Sequence, residues 1–339
     1  MKVLYIHKSK KDSRSASTNR IELMVRALKH NGVDASFFSI YRIARNPIVL
    51  VSLFLNVVNS HVIIMYGEFR YSFYIFLKVL SSTFRIKLVW EINEYPFNIR
   101  SGKKSKYYNG ERYKVDGFIT CSDKLMEYYS KKILTQARIK VPLIVDTAIR
   151  YENQNIKRGK FITYCGSIVN EKDGVLDLID SFSGSRCSKT HTLRILGSGE
   201  QDDVIRLKNK INEKKNISVK YEGFVDRSNI ASYMGESELL VLLRPETKQN
   251  EGGVPSKVAE YMSTGVPCLI TDIFNYKKVF GANINYSSTC INDFSRSMDN
   301  IFLFYEDACK RALQARIDSN KFNYESVGRE LRVFLERIS

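Results

Sequence analysis

The most constraining feature of this sequence is an alternation of short apolar segments with longer amphipathic segments, which occurs twice. The apolar segments lie at 3–7, 34–40, 61–66, 86–92, 117–122 and 141–146 in the first half, and at 161–167, 191–199, 217–225, 238–245 and 268–272 in the second. Short strands that alternate with helices are typical of a parallel, doubly wound sheet. A length of 339 residues also suits two domains better than one core. The sequence therefore predicts an α/β protein with two consecutive doubly wound domains, joined by the polar segment 150–160.

Two long apolar stretches raise the question of a membrane span. Residues 47–66 approach the length that crosses a bilayer. Asn56 and Asn59 interrupt the stretch, and its character changes there from helix-like to β-branched, so we predict a buried helix followed by a buried strand. Residues 71–90 divide in the same way, into an aromatic helix and a strand.

The charge balance predicts an anionic partner. A formal net charge of +17 favours nucleic acid, a phospholipid surface or phosphorylated small molecules, with a solvated basic surface as the alternative. Nucleic acid is not expected, because no recognition module or basic recognition helix is present. The six cysteines are scattered without zinc spacing, which indicates reduced thiols. The apolar run at the N-terminus is too short for a secretory signal, so we expect a cytoplasmic location.

Two glycine-containing turns follow predicted strands in the second half. Gly166 and Ser167 end the first strand, and Lys172 precedes the next helix, where a helix N-terminus attracts anions. Gly197 lies in a similar turn after the next predicted strand. Neither turn identifies a ligand site by itself. Lys172 can equally be a solvated charge in a loop, and the second turn can be a purely structural connection between a strand and a helix.

The segment 251–272, EGGVPSKVAEYMSTGVPCLITD, contains a short helix with clear ends. Pro255 suits the first helical position, and Gly265 suits the C-terminal cap. We therefore predict a helix over 255–264.

Polar residues at the start of this helix suit a phosphorylated ligand. Gly252 and Gly253 allow close approach of the backbone, and the helix amides, with Ser256 or Lys257, can hold a diphosphate. Glu260 lies one turn after Ser256 on the same face, where it can accept hydrogen bonds from sugar hydroxyls. The alternative is that Glu260 is a solvated helix acid.

Several of these motifs, taken in order, resemble one family. The motifs are GS (166–167) with KDG (172–174), LRILGSGE, YEGFV, LLVLLRPET and GGVPSKVAEYMSTGVPCLITD. Over 161–275 they resemble the C-terminal half of retaining GT-B glycosyltransferases of family 4. WEINEYPF (90–97) and the tail segment KFNYESVGREL are also similar to that family. The PSK-then-EYM pattern resembles the branch that makes bacterial capsule, O-antigen and other surface polysaccharides.

The resemblance implies a domain organisation. We expect an N-terminal acceptor-binding Rossmann-like domain over 1–152 and a C-terminal nucleotide-sugar-binding one over 153–320. The tail, 321–339, is expected to form a helix that packs back on the N-terminal domain.

The resemblance also implies residue roles. Glu260 matches the second acid of the family's E-x7-E motif, which holds the donor ribose, and Lys172 matches the basic residue that contacts the donor diphosphate. Further donor contacts are expected from Gly166, Ser167, Gly197, Arg244, Gly252, Gly253, Val254, Pro255, Ser256 and Lys257. Catalytic roles are expected for Lys172, for Glu251, and for Asn93, which replaces a histidine of the family.

Two further departures from the family leave alternatives open. Gly252 stands where the first acid of the motif is expected, so that contact to the sugar can come from Glu251 after a loop shift, from backbone amides, or be absent. Ser167 stands in place of an arginine, for which Lys257 or Arg244 can substitute.

The implied activity is transfer of a hexosyl or N-acetylhexosaminyl group from a nucleotide-diphosphate sugar, with UDP favoured over GDP. The acceptor is expected to be lipid-linked or an oligosaccharide, bound to the N-terminal domain near segments 8–11, 71–80 and 101–106. The protein is expected to contact the anionic inner face of the cytoplasmic membrane peripherally, through its positive charge and its apolar surface. No cofactor or metal is expected, and Asp202 with Asp203 more readily begins a helix than binds manganese. The alternatives are a nucleotide-sugar epimerase of the same fold and a non-catalytic nucleotide-sugar-binding partner protein.

Overall fold

The computed structural model describes residues 1–8, 16–41, 46–101, 113–133, 135, 137–146 and 158–339. The predicted linker, 150–160, and the lysine-containing segments 8–11 and 101–106 lie largely outside these residues. The chain divides into two compact units. Unit 1 comprises Met1–Asp146, Gly252–Val254 and Lys321–Ser339, and unit 2 comprises Thr147–Glu251 and Pro255–Asn320.

The elements alternate along the chain as the sequence pattern predicts. The strands are β1 (Lys2–His7), β2 (Asp34–Ser39), β3 (Val62–Tyr66), β4 (Lys87–Glu91), β5 (Gly117–Thr120), β6 (Arg138–Lys140), β7 (Phe161–Cys165), β8 (Thr192–Leu196), β9 (Ser218–Gly223), β10 (Leu239–Leu242), β11 (Cys268–Thr271) and β12 (Asn285–Ser287). The helices are α1 (Ala16–His30), α2 (Pro47–Val58), α3 (Tyr71–Thr83), α4 (Phe97–Ser101), α5 (Asp123–Ser130), α6 (Asn170–Asp173), α7 (Val175–Gly184), α8 (Gln201–Glu213), α9 (Arg227–Gly235), α10 (Lys248–Gly252), α11 (Ser256–Thr264), α12 (Tyr276–Phe280), α13 (Ile291–Leu303), α14 (Tyr305–Asp318) and α15 (Tyr324–Ile338).

Unit 1 contains a six-stranded parallel sheet with the order β2-β1-β3-β4-β5-β6. Alternate residues of its strands face two separate apolar cores, one of which includes α1 and α15. These two helices pack closely, because a Cβ atom at Gly328 would lie 2.3 Å from the Ala27 carbonyl oxygen. The C-terminal helix is thus part of the core of unit 1.

The prediction that residues 47–66 form a buried helix and a buried strand is correct for the strand and wrong for the helix. Val62–Tyr66 is buried along most of its length. Helix α2, in contrast, buries only Leu53 and Val57, and its other large apolar side chains are mostly exposed. A helix that packs on one face of a sheet contacts the core along a single stripe. When such a helix is apolar on all sides, the apolar side chains outside that stripe remain exposed to solvent.

The predicted last strand of the first half, 141–146, is also wrong. The sixth strand is Arg138–Lys140, and the following segment contributes only an isolated bridge between Val145 and Asn323. Pro142 lies within that segment and lacks the N–H that a strand ladder requires, which explains why pairing ends before it.

Unit 2 contains the second six-stranded parallel sheet, with the order β12-β11-β10-β7-β8-β9. We expected residues 268–272 to close this sheet, but Asn285–Ser287 adds one more strand beside it. The strand has the sequence NYS, too short and polar for an apolar pattern to reveal. Apart from these edges, the predicted fold class of two doubly wound α/β domains is confirmed.

The strand order of unit 2 reverses direction between β7 and β10, which are neighbours in the sheet. In open parallel sheets, ligands bind outside the carboxyl ends of the strands at such a switch point. The loops that follow Cys165 and Leu242 flank this point and define where a ligand site is expected.

Candidate functional site

Two glycine turns pack against each other at the carboxyl edge of the unit 2 sheet. The Gly166 amide donates to the Leu196 carbonyl at 2.9 Å. Gly197 has a φ of +142°, and a Cβ atom there would lie 1.7 Å from the Gly166 carbonyl oxygen. A Cβ atom at Gly166 would itself lie 2.1 Å from Lys257 Nζ. Position 197 therefore requires glycine, because the overlap is with backbone, and glycine at position 166 leaves room for the lysine ammonium.

The short helix α6 follows this turn and carries Lys172, which is half-buried. The side-chain amide of Asn250 donates to the carbonyls of Lys172 and Pro245, both at 2.8 Å. Gly174, with a φ of +57°, ends the helix where a Cβ atom would lie 2.2 Å from the Leu243 carbonyl oxygen. These contacts fix the backbone around Lys172 against the end of β10.

Asp173 is fully buried and binds two cations at once. Its Oδ1 accepts a hydrogen bond from Arg244 Nε at 3.0 Å, and its Oδ2 accepts one from Lys257 Nζ at 3.0 Å. Ser167 Oγ also donates to Oδ2 at 3.0 Å, and Lys257 Nζ donates to Tyr164 Oη at 3.1 Å. The carboxylate therefore fixes the positions of both cations beside the Gly166 turn.

The electrostatics of this cluster favour its ionised form. Burial by itself would raise the pKa of Asp173, but Lys257 and Arg244 outweigh it and hold that pKa well below its usual range. Burial lowers the pKa of Lys257, while Asp173 opposes the change. Burial also acts to lower the pKa of Arg244, yet Tyr276 and Asp173 raise it overall.

The cluster carries an excess of positive charge. Lys172 lies close enough to lower the pKa of both Asp173 and Lys257. Three cations (Lys172, Arg244 and Lys257) and one carboxylate leave two positive charges. A partly buried site with this excess and with nearby backbone amides is suited to a diphosphate.

The predicted helix over 255–264 is confirmed as α11, with Pro255 one residue before its first helical position. Gly265 forms the predicted cap with a φ of +70°. Tyr261 Oη donates to the Cys165 carbonyl at 3.1 Å and accepts from the Cys165 amide at 2.9 Å, which ties the helix to the end of β7.

Glu260 lies beside the end of β7. The next residue of α11, Tyr261, is hydrogen-bonded to the Cys165 backbone, and burial and then the Glu260 carboxylate raise the pKa of the Cys165 thiol to about 12. Ser256 is exposed at the helix start, and Glu260 is half-buried. The structure thus brings Gly166, Ser167, Lys172, Gly197, Arg244, Lys257 and Glu260 to one edge of unit 2, with Pro255 and Ser256 at the start of the helix.

Glu251 does not join this cluster through any described contact. It lies on α10, where its carboxylate pairs with Lys248. Gly252 to Val254 belong to unit 1, where the Gly252 carbonyl accepts a hydrogen bond from Ser122 Oγ at 2.8 Å.

Packing gives a reason for glycine at position 252, where the resemblance leads us to expect an acid. A Cβ atom there would lie 2.9 Å from a ring carbon of Tyr95 and 3.0 Å from a methyl carbon of Leu125. Both of these side chains are buried, so a glutamate at this position would have to displace them.

Asn93 belongs to unit 1 and is held by a buried carboxylate. Its Nδ2 donates to Glu91 Oε1 at 2.9 Å, and Arg20 Nε donates to the same oxygen at 2.7 Å. Tyr5 Oη donates to the other oxygen of Glu91 at 3.1 Å. Asn93 Oδ1 is buried without a hydrogen-bond partner in the part of the chain that the structure describes.

Sequence reasoning missed Asp173, the residue that organises the cluster. The only signal was an acid directly after Lys172, and the sequence does not show that this acid is buried. Asn250 and Tyr261 were missed as well, because their hydrogen bonds go to backbone groups that a sequence cannot place.

Among the described residues, no group of three or more His, Cys, Asp or Glu side chains is arranged to hold a metal ion. Asp202 and Asp203 lie in the first turn of α8. The same described residues include no helix that is both long and apolar enough to span a bilayer.

Comparisons with known proteins identify the fold. Residues 159–295 match the family model described as "Glycosyl transferases group 1". The structure of Anabaena HepE in complex with UDP is 13% identical, with a TM-score of 0.76, over 99% of this chain and 100% of that chain. Sucrose-phosphate synthase from Thermosynechococcus elongatus is 11% identical, with a TM-score of 0.74, over 99% of this chain and 98% of that chain.

A third similar structure is WaaG, a glycosyltransferase involved in lipopolysaccharide biosynthesis, which is 12% identical with a TM-score of 0.68 over 97% of this chain and 98% of that chain. No curated protein sequence matches this chain significantly. The chain therefore has the two-domain fold that GT-B glycosyltransferases share, and its residues 159–295 are similar to group 1 glycosyl transferases.

Proposed function

We propose that this protein transfers a hexosyl or N-acetylhexosaminyl group from a nucleotide-diphosphate sugar, with UDP favoured, to an acceptor hydroxyl with retention of anomeric configuration. The observation that carries the proposal is the buried Asp173 carboxylate, which holds Lys257 and Arg244 beside the Gly166 turn at the carboxyl edge of unit 2. The similarity to HepE, whose structures contain UDP and UDP-glucose, supports the choice of nucleotide.

The donor diphosphate is proposed to lie on the Gly166 turn and the first amides of α11. Lys172 and Lys257 supply the cations, and their charge stabilises the diphosphate as it leaves. Glu260, beside the end of β7, accepts hydrogen bonds from the ribose hydroxyls. Because these cations can neutralise the leaving group, we propose that no metal ion is required.

The reaction exchanges one bond at the anomeric carbon. Its bond to the diphosphate oxygen breaks, the acceptor oxygen bonds on the same face, and the acceptor proton passes to the departing diphosphate. Glu251 and Asn93 are proposed to contact the transferred sugar. For Glu251 this requires its ion pair with Lys248 to open.

We further propose a role in bacterial surface polysaccharide synthesis, on a lipid-linked acceptor bound to unit 1 at the inner face of the cytoplasmic membrane. The net charge of +17 supports contact with anionic lipid. The similarity to a glycosyltransferase of lipopolysaccharide biosynthesis supports the pathway class.

The donor site is tested by calorimetric titration of UDP into the wild type, Glu260→Ala and Lys172→Ala. Each substitution removes a charge-assisted contact worth about 1.5–3 kcal/mol, so affinity should fall roughly tenfold to a hundredfold. Lys208→Ala, an exposed lysine of α8, is the matched control and should bind as the wild type does. Unchanged affinity in both site variants would mean that the site is misplaced.

Product analysis separates the alternatives. An epimerase converts a free nucleotide-sugar into its epimer without an acceptor. A non-catalytic partner protein binds UDP-sugars but turns none over when acceptors are supplied. Either result overturns the proposed transfer while leaving the donor site intact.

A further inference from the structure

Helix α2 presents an unusually apolar surface to solvent. Its twelve residues, PIVLVSLFLNVV, include no charged side chain. Five large apolar residues retain between 39% and 76% of their accessible surface, namely Ile48, Leu50, Val51, Phe54 and Leu55. Contiguous apolar surface of this kind marks an interaction site more often than chance exposure does.

This surface continues onto α3 and the turn that follows it. The rings of Phe54 and Phe84 lie 6.1 Å apart in an edge-to-face arrangement, so the two elements are in contact at their exposed sides. Ile75 and Val79 lie one turn apart on α3 and are exposed by 40% and 58%. We call the exposed side chains of α2, α3 and Phe84 the α2–α3 surface.

The sequence around the α2–α3 surface is almost free of acidic residues. From residue 35 to residue 90 the only acid is Glu68, whereas the same stretch contains six basic residues, Arg42, Arg45, Arg70, Lys78, Arg85 and Lys87. Arg42 and Arg45 lie outside the described residues. Glu68 accepts a hydrogen bond from the Phe97 amide at 3.1 Å. The apolar surface is therefore accompanied by cations with almost no opposing charge.

We propose that the α2–α3 surface docks on an anionic phospholipid bilayer. Apolar side chains of a surface helix enter the boundary between headgroups and acyl chains, and neighbouring Lys and Arg side chains reach the lipid phosphates. Lys78 lies on α3, and Arg85 directly follows Phe84, so both are placed to do this. The proposal rests on the membrane contact proposed above and assigns it to the α2–α3 surface rather than to the lysine-containing segments 8–11 and 101–106.

Charge favours lipid over a second copy of the chain. A two-fold symmetric contact through this surface would bring the same patch together from both copies. The surface and the residues that flank it in the sequence carry cations and only Glu68 as an acid, so the symmetric contact brings like charges together. An anionic bilayer supplies the opposite charge.

The experiment is flotation of the full-length protein with vesicles of phosphatidylcholine containing 30% phosphatidylglycerol, at low salt. The test variant, Val51→Glu with Leu55→Glu, places two carboxylates one turn apart on the exposed side of α2. We expect its partition coefficient to fall at least tenfold relative to the wild type. Wild-type binding should also weaken with pure phosphatidylcholine vesicles or at high salt, because the lipid charge is absent or screened.

The matched control is Leu313→Glu with Ile317→Glu on α14. These residues have the same spacing and are exposed by 58% and 61%, but α14 carries both acids and cations. The control should bind vesicles as the wild type does, and both variants should keep the wild-type circular dichroism spectrum.

Equal loss of binding in both double variants would overturn the proposal, since it would show a nonspecific charge effect. Unchanged binding in the α2 variant would overturn it as well. If the wild type ignores vesicles but is a dimer that the α2 variant dissociates, the occupant is a second copy and the proposal is wrong. UDP titration of the α2 variant separates this proposal from the proposed donor site. If the variant keeps its UDP affinity but no longer binds lipid, the donor site is unaffected.

Discussion

Replacement of Asp173 by asparagine should destabilise unit 2 strongly. The substitution keeps the side-chain volume but removes the negative charge that pairs with Lys257 and Arg244, each at 3.0 Å. Removing one partner of a buried ion pair leaves uncompensated charge in the interior and costs about 3–5 kcal/mol. We expect a loss of unfolding free energy within this range at pH 7.

Asp180→Asn provides the matched control. Asp180 lies on α7 and also pairs with two lysines, Lys210 at 2.7 Å and Lys214 at 2.9 Å, but its side chain is 25% exposed. Solvent screens such pairs, so its substitution should cost no more than about 1 kcal/mol. The two variants therefore differ chiefly in the burial of the carboxylate.

The contribution of Asp173 to the free energy of unfolding should also depend on pH. Its folded-state pKa lies below the ordinary aspartate value, so the ionised group contributes stability in full above an unfolded pKa of about 3.9. That contribution is lost as pH falls towards the folded pKa. The gap between the wild type and Asp173→Asn should consequently narrow below about pH 4.

Native-state hydrogen exchange of the β7 and β10 amides measures the opening free energy of unit 2 itself. The reasoning is refuted if Asp173→Asn costs less than about 1 kcal/mol. It is refuted equally if Asp173→Asn and Asp180→Asn are indistinguishable, because burial would then not govern the pair.

Two glycine substitutions test the backbone geometry, both by urea unfolding of the full chain. Gly197→Ala introduces a Cβ atom 1.7 Å from a carbonyl oxygen at a φ of +142°, so strain and overlap should together cost at least about 3 kcal/mol. Gly252→Ala meets Tyr95 and Leu125 at about 3 Å, and repacking should cost about 1–3 kcal/mol. An alanine tolerated at 197, or a larger loss at 252 than at 197, would contradict the packing described.

The alternation of strands and helices was predictable over most of the chain, because short apolar segments mark the buried strands of a parallel sheet. No element was predicted between residues 272 and 324, where α12, β12, α13 and α14 lie. The prediction went wrong at the sheet edges. Residues 141–146 are apolar and buried yet do not form a strand, since Pro142 cannot join a ladder. Residues 285–287 form a strand through pairing with β11, although their own sequence is polar.

Helix α2 shows why apolar character and burial are separate properties. Its sequence is that of a buried helix, and no sequence-local signal reveals that only Leu53 and Val57 reach the core. Which faces of a helix are covered depends on neighbouring elements that lie far away in the chain.

The candidate site was predictable where the chain itself must turn. Gly166 and Gly197 were identified as turns at strand ends, and the structure packs these two turns against each other at the carboxyl edge of the unit 2 sheet. Asp173 was missed because its role depends on Lys257 and Arg244, which are 84 and 71 residues away. Gly252 looked like a missing acid, whereas even a Cβ atom there would force Tyr95 or Leu125 to shift.

The most direct test of the central claim is NMR analysis of the reaction of full-length wild-type protein with UDP-sugars and candidate lipid-linked acceptors. The account predicts a glycoside whose anomeric configuration matches that of the donor, with activity that persists in a metal chelator and that falls at least tenfold in Glu260→Ala when the donor is below saturation. An inverted product, or sugar transfer that continues unchanged in Glu260→Ala, would contradict it.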